Sequence, residues 1–296
     1  MMPATRIRLP IAGSFYHELR EDGGCGKLIG VTWTSRFVPY AALAAVGVAA
    51  CGPTSSYNVA TERQETLFID TAKEIALGES VARKVEEEFT VIRDPELLKQ
   101  LDRVSSRIVA VADRKDLSYR FTIVQMKEAG EDQPNAFALP GGPVYVTRAL
   151  FDLVKSDDEL AAVVSHEVGH IVAKHVVKRI QGAVGMQILQ VLAGVSRAGG
   201  EARESLDLAF ASILTEYSQS DELQADRLGL RYMKRAGYDQ AAAIRFMERL
   251  RAHNLKQPLR RYSYFRTHPY FADRIRLLRQ QSEGKITFDD YINKRE

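Results

Sequence analysis

His166-Glu-Val-Gly-His170 lies within Asp158-Glu-Leu-Ala-Ala-Val-Val-Ser-His-Glu-Val-Gly-His-Ile-Val-Ala-Lys-His-Val-Val-Lys178, a run with apolar residues at helical spacing. Each residue of a helix turns about 100°, so residues four apart lie within about 40° of one another. His166 and His170 therefore stack on one face and offer two imidazole nitrogens to one ion. Glu167 flanks that face, close enough to take a proton from water at a metal. Ser156 with Glu159 reads as a capping box, Asp157 and Asp158 complement the positive end of the helix, and Gly182 marks a stop. The pentapeptide is then mid-helix, where backbone geometry holds its side chains. His175, nine positions from His166, projects about 180° away on a continuous helix and falls outside the metal face. It reads as a surface or capping residue, as does His253.

A second pair sits downstream. Glu222-Leu-Gln-Ala-Asp226 puts two carboxylates on one face of a helical pattern over roughly 204–235, closed by Gly237. Catalytic zinc sites use three protein ligands and leave one position open. Glu222 is the candidate third ligand. Asp226, one turn on, is placed to accept the other ring N–H of a ligand histidine. Ala225 and Gly229 allow the two helices to approach closely.

Composition agrees with one globular body. The 296 residues are 45% hydrophobic and 27% charged, enough for a sizeable core. The formal net charge of +3 is small and no basic cluster is interleaved with aromatics, which argues against a nucleic-acid partner.

Near the N-terminus, an apolar stretch over 37–50 is too short to span a bilayer, where about 20 residues are needed, but suits a signal-peptide core. It ends in Val48-Ala-Ala-Cys51, a lipobox pattern in which the new N-terminal cysteine carries lipid. A polar run follows, as a tether requires. The expected organisation is an extension and lipoprotein signal over 1–50, with the true start nearer Val31, and a tether over 51–64. A main domain over 65–282, carrying both motifs, and a tail over 283–296 complete it. Gly52 lacks the aspartate that retains lipoproteins in an inner membrane, so the expected location is the periplasm, anchored at the outer membrane of a Gram-negative cell.

Between the termini, 66–90 and 95–113 read as amphipathic scaffold helices, the second capped by Asp94 with Pro95 in its first turn. Residues 119–126 and 144–147 have strand composition, and Pro140-Gly141-Gly142 marks a turn that pairs 136–139 with 143–147. The edge of such a sheet, Asn135, Ala136, Phe137 and Ala138, offers backbone groups to an extended peptide. The same residues equally allow a hairpin that only closes the core. An apolar run over 183–195 and a connector over 196–203 follow the metal helix. Asp239 caps a helix through Asn254, and Thr267-His268-Pro269 stands before a last helix containing Arg274.

Four segments now stand in order: Asn135-Ala-Phe-Ala-Leu-Pro-Gly-Gly142, His166-Glu-Val-Gly-His170, Glu222-Leu-Gln-Ala-Asp226 and Thr267-His-Pro269. Together they resemble the zinc metallopeptidases of the HtpX and CAAX-prenyl-protease type, in their span-free bacterial lipoprotein branch. The resemblance implies an α+β, mainly α-helical, zincin-like fold with a small antiparallel sheet at the active-site edge. It implies one zinc ion per chain on His166, His170 and Glu222, with Glu167 as general base. His268 matches a histidine that stabilises charge on the substrate oxygen, and Asp226 an outer partner of a ligand. The activity implied is endopeptidase cleavage of protein or peptide substrates, in quality control of misfolded or unassembled envelope proteins. Two other readings are an inactive member serving as a binding module at the outer membrane and a small-molecule metal amidohydrolase.

Overall fold

Helix starts in this chain are written locally. Asp70, Asp94, Thr147, Ser156 and Ser218 each accept a backbone N–H of the first turn that follows. The computed structural model describes residues 54–128, 132–183, 200–256, 263–283 and 285. A hairpin of β1 (Thr54–Asn58) and β2 (Arg63–Leu67) leads into α1 (Thr71–Glu88), β3 (Phe89–Val91), α2 (Pro95–Val111) and β4 (Arg120–Met126). There follow β5 (Ala136–Ala138), β6 (Pro143–Thr147), α3 (Arg148–Leu153) and α4 (Asp157–Val172). A helical run over 175–183 is α5. The chain continues with α6 (Gly200–Ile213), α7 (Gln219–Arg235), α8 (Ala241–Asn254), α9 (Tyr264–Thr267) and α10 (Phe271–Ser282). The expected mainly helical α+β class holds.

The second sheet runs β3-β4-β6-β5. β5 and β6 form the expected antiparallel hairpin, while β4 and β6 pair in parallel, so this sheet is mixed. Gly141 and Gly142 take φ of 76° and 118°, which is why the turn needs glycine there. Helix α1 holds that turn. Buried Glu74 accepts from Gly141 N at 3.2 Å and is gripped by both contacts of Arg114 Nη1, at 2.8 and 2.9 Å. At Gly78 a Cβ would stand 1.8 Å from the Pro140 oxygen, so only glycine admits the turn against α1.

Helix α4 runs between two apolar clusters. Val163, Val168 and Val172 belong to one, Ile171 to the other. Burial on all sides matches its apolar composition and keeps the two histidines out of solvent.

Four boundary expectations are corrected. The metal helix ends at Val172, not Gly182: Lys174 takes φ of 56° and the chain turns before α5. The pattern over 204–235 is two helices, because residues 214–218 leave the helix and Ser218 caps α7. Residues 200–203 belong to α6 rather than to a connector. The first scaffold helix begins at Thr71, since 63–67 pair with 54–58 instead. The Ser156 cap is present, but the Glu159 carboxylate returns to Lys155 N, at 2.7 Å, one residue before the position a capping box uses. The apolar stretch over 37–50, Cys51 and the tail over 286–296 lie outside the described residues, as does most of 183–195. Among the described residues no helix is long and apolar enough to cross a membrane.

Candidate metal centre

Helices α4 and α7 set the site. Gly169 and Gly229 face the partner backbone: a Cβ at 169 would stand 2.8 Å from the Ala225 oxygen, and one at 229 would stand 3.3 Å from His166 N. This approach brings Glu222 to the two histidines. His166 Nε2 and His170 Nε2 are 3.0 Å apart, His170 Nε2 is 3.3 Å from Glu222 Oε1, and His166 Nε2 is 3.7 Å from Glu222 Oε2. A tetrahedron with bonds of about 2.0–2.1 Å has edges of about 3.3–3.4 Å, so these donors suit a zinc ion.

His268 joins them. Its Nδ1 lies 3.0 Å from Glu222 Oε1 and 3.4 Å from His166 Nε2, so donor atoms of all four residues fall within 4.8 Å. In this conformation His268 stands at the fourth corner of the donor set. The other side of its ring faces the Ala136 oxygen at 3.4 Å and Glu167 Oε1 at 3.5 Å. Glu167 is fully buried and neither of its oxygens has a hydrogen-bond partner. Buried carboxylate oxygens are rarely left so, and these are available to a proton carrier. The donor set and this carboxylate fit a hydrolytic zinc centre.

Electrostatics favour the ligand forms of the side chains. Burial pushes His170 well below the ordinary imidazole range and leaves it neutral. Burial alone would raise Glu222 and Asp226, yet the Arg274 guanidinium holds both below the ordinary carboxylate range. Arg274 is itself buried, with Nε and Nη2 on Asp226 at 2.8 and 2.7 Å and Nη1 on Glu222. Asp226 Oδ1 lies 3.0 Å from His166 Nδ1, where it accepts that N–H and turns Nε2 into the cluster. Removing one member of such a buried pair costs about 3–5 kcal/mol, because the remaining charge is stranded.

Several neighbours were not legible as site residues. Tyr217, from the break between α6 and α7, stacks on His170 at 3.8 Å with Arg179 over its other face at 3.5 Å. Tyr264 stacks on His268 at 4.2 Å. His175 is the clear correction: far from being a surface or capping residue, it is buried, with Nδ1 2.9 Å from His170 Nδ1. The 180° projection assumed a continuous helix, and the turn at Lys174 removes that assumption.

The edge residues are also placed. β5 is the outer strand, and its free side carries the segment over 263–268. Tyr264 N donates to Pro134 O at 2.9 Å, and Thr267 Oγ1 donates to Asn135 Oδ1 at 3.3 Å. That segment therefore meets the edge at Pro134, Asn135 and Ala136, where the His268 ring also faces the Ala136 oxygen. Phe137 and Ala138 are buried, and the Phe137 ring stacks on Tyr145 at 5.3 Å.

The chain is similar to known proteins. The chain is 30% identical over 205 residues to the beta-barrel assembly-enhancing protease of Yersinia pestis, covering 65% of this chain and 40% of that protein. It is 32% identical over 180 residues to the mitochondrial metalloendopeptidase OMA1 of Schizosaccharomyces pombe, covering 61% of this chain and 51% of the relative. A putative beta-barrel assembly-enhancing protease of Vibrio cholerae is 29% identical over 257 residues, covering 81% and 51%. The match thus spans about 40% to half of the length of these relatives. The family model for peptidase family M48 matches residues 95–282, which contain every donor of the cluster, and the chain belongs to that family.

Proposed function

We propose that this protein is a zinc-dependent endopeptidase that cleaves proteins of the cell envelope. The observation that carries the reading is the convergence of His166, His170 and Glu222 beside the buried carboxylate of Glu167, whose oxygens make no hydrogen bond. Those three residues would hold one zinc ion, which when bound supplies Lewis acidity toward a carbonyl and lowers the pKa of water. Asp226 and Arg274 keep His166 and Glu222 in their ligand orientations. Backbone groups of Asn135, Ala136, Phe137 and Ala138 pair with an extended substrate. Glu167 takes one proton from the attacking water as the new C–O bond forms. It returns that proton to the amide nitrogen as the C–N bond breaks, leaving a carboxylic acid and an amine. His268 donates toward the charge that grows on the carbonyl oxygen, a role that requires its ring to face substrate rather than Glu222.

The lipobox at Val48-Ala-Ala-Cys51 supports a lipid-anchored protein of the periplasm, held at the outer membrane. Unassembled envelope proteins are then the substrates within reach, in keeping with the names of the bacterial relatives.

Digestion of an unfolded protein such as casein tests the activity. Wild-type protein should cleave it, a zinc chelator should stop cleavage, and Glu167→Gln should bind zinc yet lose about 10²–10⁴-fold in rate. Chelator-resistant cleavage at the wild-type rate by Glu167→Gln would remove the assignment. Zinc binding without hydrolysis by the wild type would leave the binding-module reading. Amide hydrolysis confined to small molecules would favour the amidohydrolase.

A further inference from the structure

Each histidine of the α4 pair has an outer partner, and the two partners differ in kind. His166 leans on the Asp226 carboxylate. His170 leans on another imidazole. Lys174, in the left-handed region, turns the chain so that His175 returns beside His170, rings 5.0 Å apart and near perpendicular. Their Nδ1 atoms are 2.9 Å apart, a spacing that holds one proton between them.

Which nitrogen carries that proton follows from the rest of the chain of contacts. His175 Nε2 lies 3.1 Å from Gln224 Oε1, with Asp221 Oδ1 farther off at 3.5 Å. Both are acceptors, so His175 bears its proton on Nε2 and presents a lone pair at Nδ1. His170 must then donate from Nδ1, which leaves the Nε2 lone pair directed at the donor cluster. The reverse tautomers would set two lone pairs against each other at Gln224 and aim the His170 Nε2 proton at His166 Nε2.

The Gln224 amide has no freedom to flip. Its Nε2 donates to Ser220 Oγ at 3.0 Å, and its Oε1 also accepts from Asn58 Nδ2 at 3.3 Å. Asn58 is oriented in turn: its Oδ1 accepts from Ala60 N at 2.8 Å and Thr61 N at 3.4 Å, forming the bend of the β1–β2 hairpin. Within the hairpin Asn58 Nδ2 also donates to Glu65 Oε1 at 2.8 Å, and the hairpin is docked on the helices by Lys178 to Glu65 and by Arg227 Nη1 to Ala60 O at 2.6 Å. His175, Gln224 and Asn58 are all buried.

We propose that His175 is the positioning residue of His170, and that the N-terminal hairpin, through Asn58 and Gln224, completes the network that fixes His170 as an Nε2 ligand. The proposal rests on reading His166, His170 and Glu222 as the metal site. Zinc affinity then depends on the hairpin being docked, and by linkage zinc strengthens that docking.

Zinc affinity of the full chain is measured by competition with a chromophoric chelator. Losing an outer partner of a ligand histidine typically costs roughly 10–100-fold in affinity, and His175→Leu should fall in that range. His175→Asn, whose side-chain oxygen takes the place of Nδ1 as acceptor, should recover most of the loss. A void-filling role alone would predict the opposite order, because leucine retains more bulk. Asn58→Asp keeps the bend acceptor but sets carboxylate oxygens against Gln224 and Glu65, and should also weaken zinc. In wild-type protein, backbone amides of 54–67 should exchange more slowly with zinc than without it, a readout that needs no variant. His175→Leu binding zinc as tightly as wild type, His175→Asn binding no better than His175→Leu, or exchange in 54–67 indifferent to zinc would each overturn the proposal. His166→Ala is the control: if it too retains zinc, the metal site itself is misread, and if it loses zinc, only the role of His175 has failed.

Discussion

Gly169 lies against Ala225 so closely that a methyl group on it would meet the Ala225 oxygen at 2.8 Å, with the Ala225 Cα at 3.1 Å. Both neighbours are backbone, so neither rotates away. The distance between α4 and α7 is therefore set where the first helix carries His166 and His170 and the second carries Glu222.

Gly169→Ala should push these helices apart. Overpacking of this kind costs about 1–3 kcal/mol, and widening the donor cluster should lower zinc content as well. Gly182, in α5, has nothing within 4 Å of where a methyl group would stand, so Gly182→Ala should be neutral or stabilise by up to about 1 kcal/mol. Thermal melts with metal analysis check both, and a Gly169→Ala protein with full zinc and wild-type Tm would refute the packing argument.

His268 can act on the rate in two ways, and they have opposite signs. If its N–H stabilises charge on the substrate oxygen, His268→Phe should lower kcat by roughly 10²-fold with KM little changed. If its ring chiefly fills the fourth corner beside Glu222, the same change should raise the rate instead. A change confined to KM would make it a substrate-binding residue. Steady-state kinetics on a fluorogenic peptide decides between them.

Acid stability should carry a mark of Asp116. The hydrogen-bonded fork from Arg114 lowers its pKa from 3.8 to about 2, against an opposing effect of burial. A carboxylate held down in the fold stabilises it above the unfolded value, and that contribution disappears as pH falls from about 4 through 2. Asp116 is 48% exposed, so the effect is small. Asp116→Asn should lower Tm slightly at pH 7 and converge on wild type near pH 2. A constant offset across that window would show that charge is not the cause.

The anchor is testable by fractionation. Lipid on Cys51 together with an acylated amino group gives at least two buried chains, enough for stable attachment where one is marginal. In a Gram-negative host, wild-type protein should fractionate with the outer membrane. Cys51→Ser should leave a larger, uncleaved precursor. Replacing residues 1–51 by an ordinary secretory signal should release active enzyme into the periplasm. Wild-type protein found in the cytosol with residues 1–50 attached would refute the lipobox reading.

What the amino-acid sequence determined by itself is whatever depends on contacts within a turn or two. The i, i+4 spacing of His166 with His170 and of Glu222 with Asp226 is a property of any helix, and the caps at Asp94 and Ser156 act over three residues. The Pro140-Gly141-Gly142 turn is likewise local, since only glycine takes those φ values freely. The tertiary structure decided the rest, because burial joins groups that share no local rule. Lys174 is left-handed although lysine has no preference for it, and that one residue carries His175 from the far side of a presumed helix to His170. Arg274 is in sequence only a residue of the last helix, and burial between Glu222 and Asp226 makes it the counter-ion of the site. Asn58 reaches Gln224 across 166 positions, a distance over which no periodicity speaks. Those pairings exist because a buried polar group must find a partner, and which partner it finds is settled only when the helices have packed.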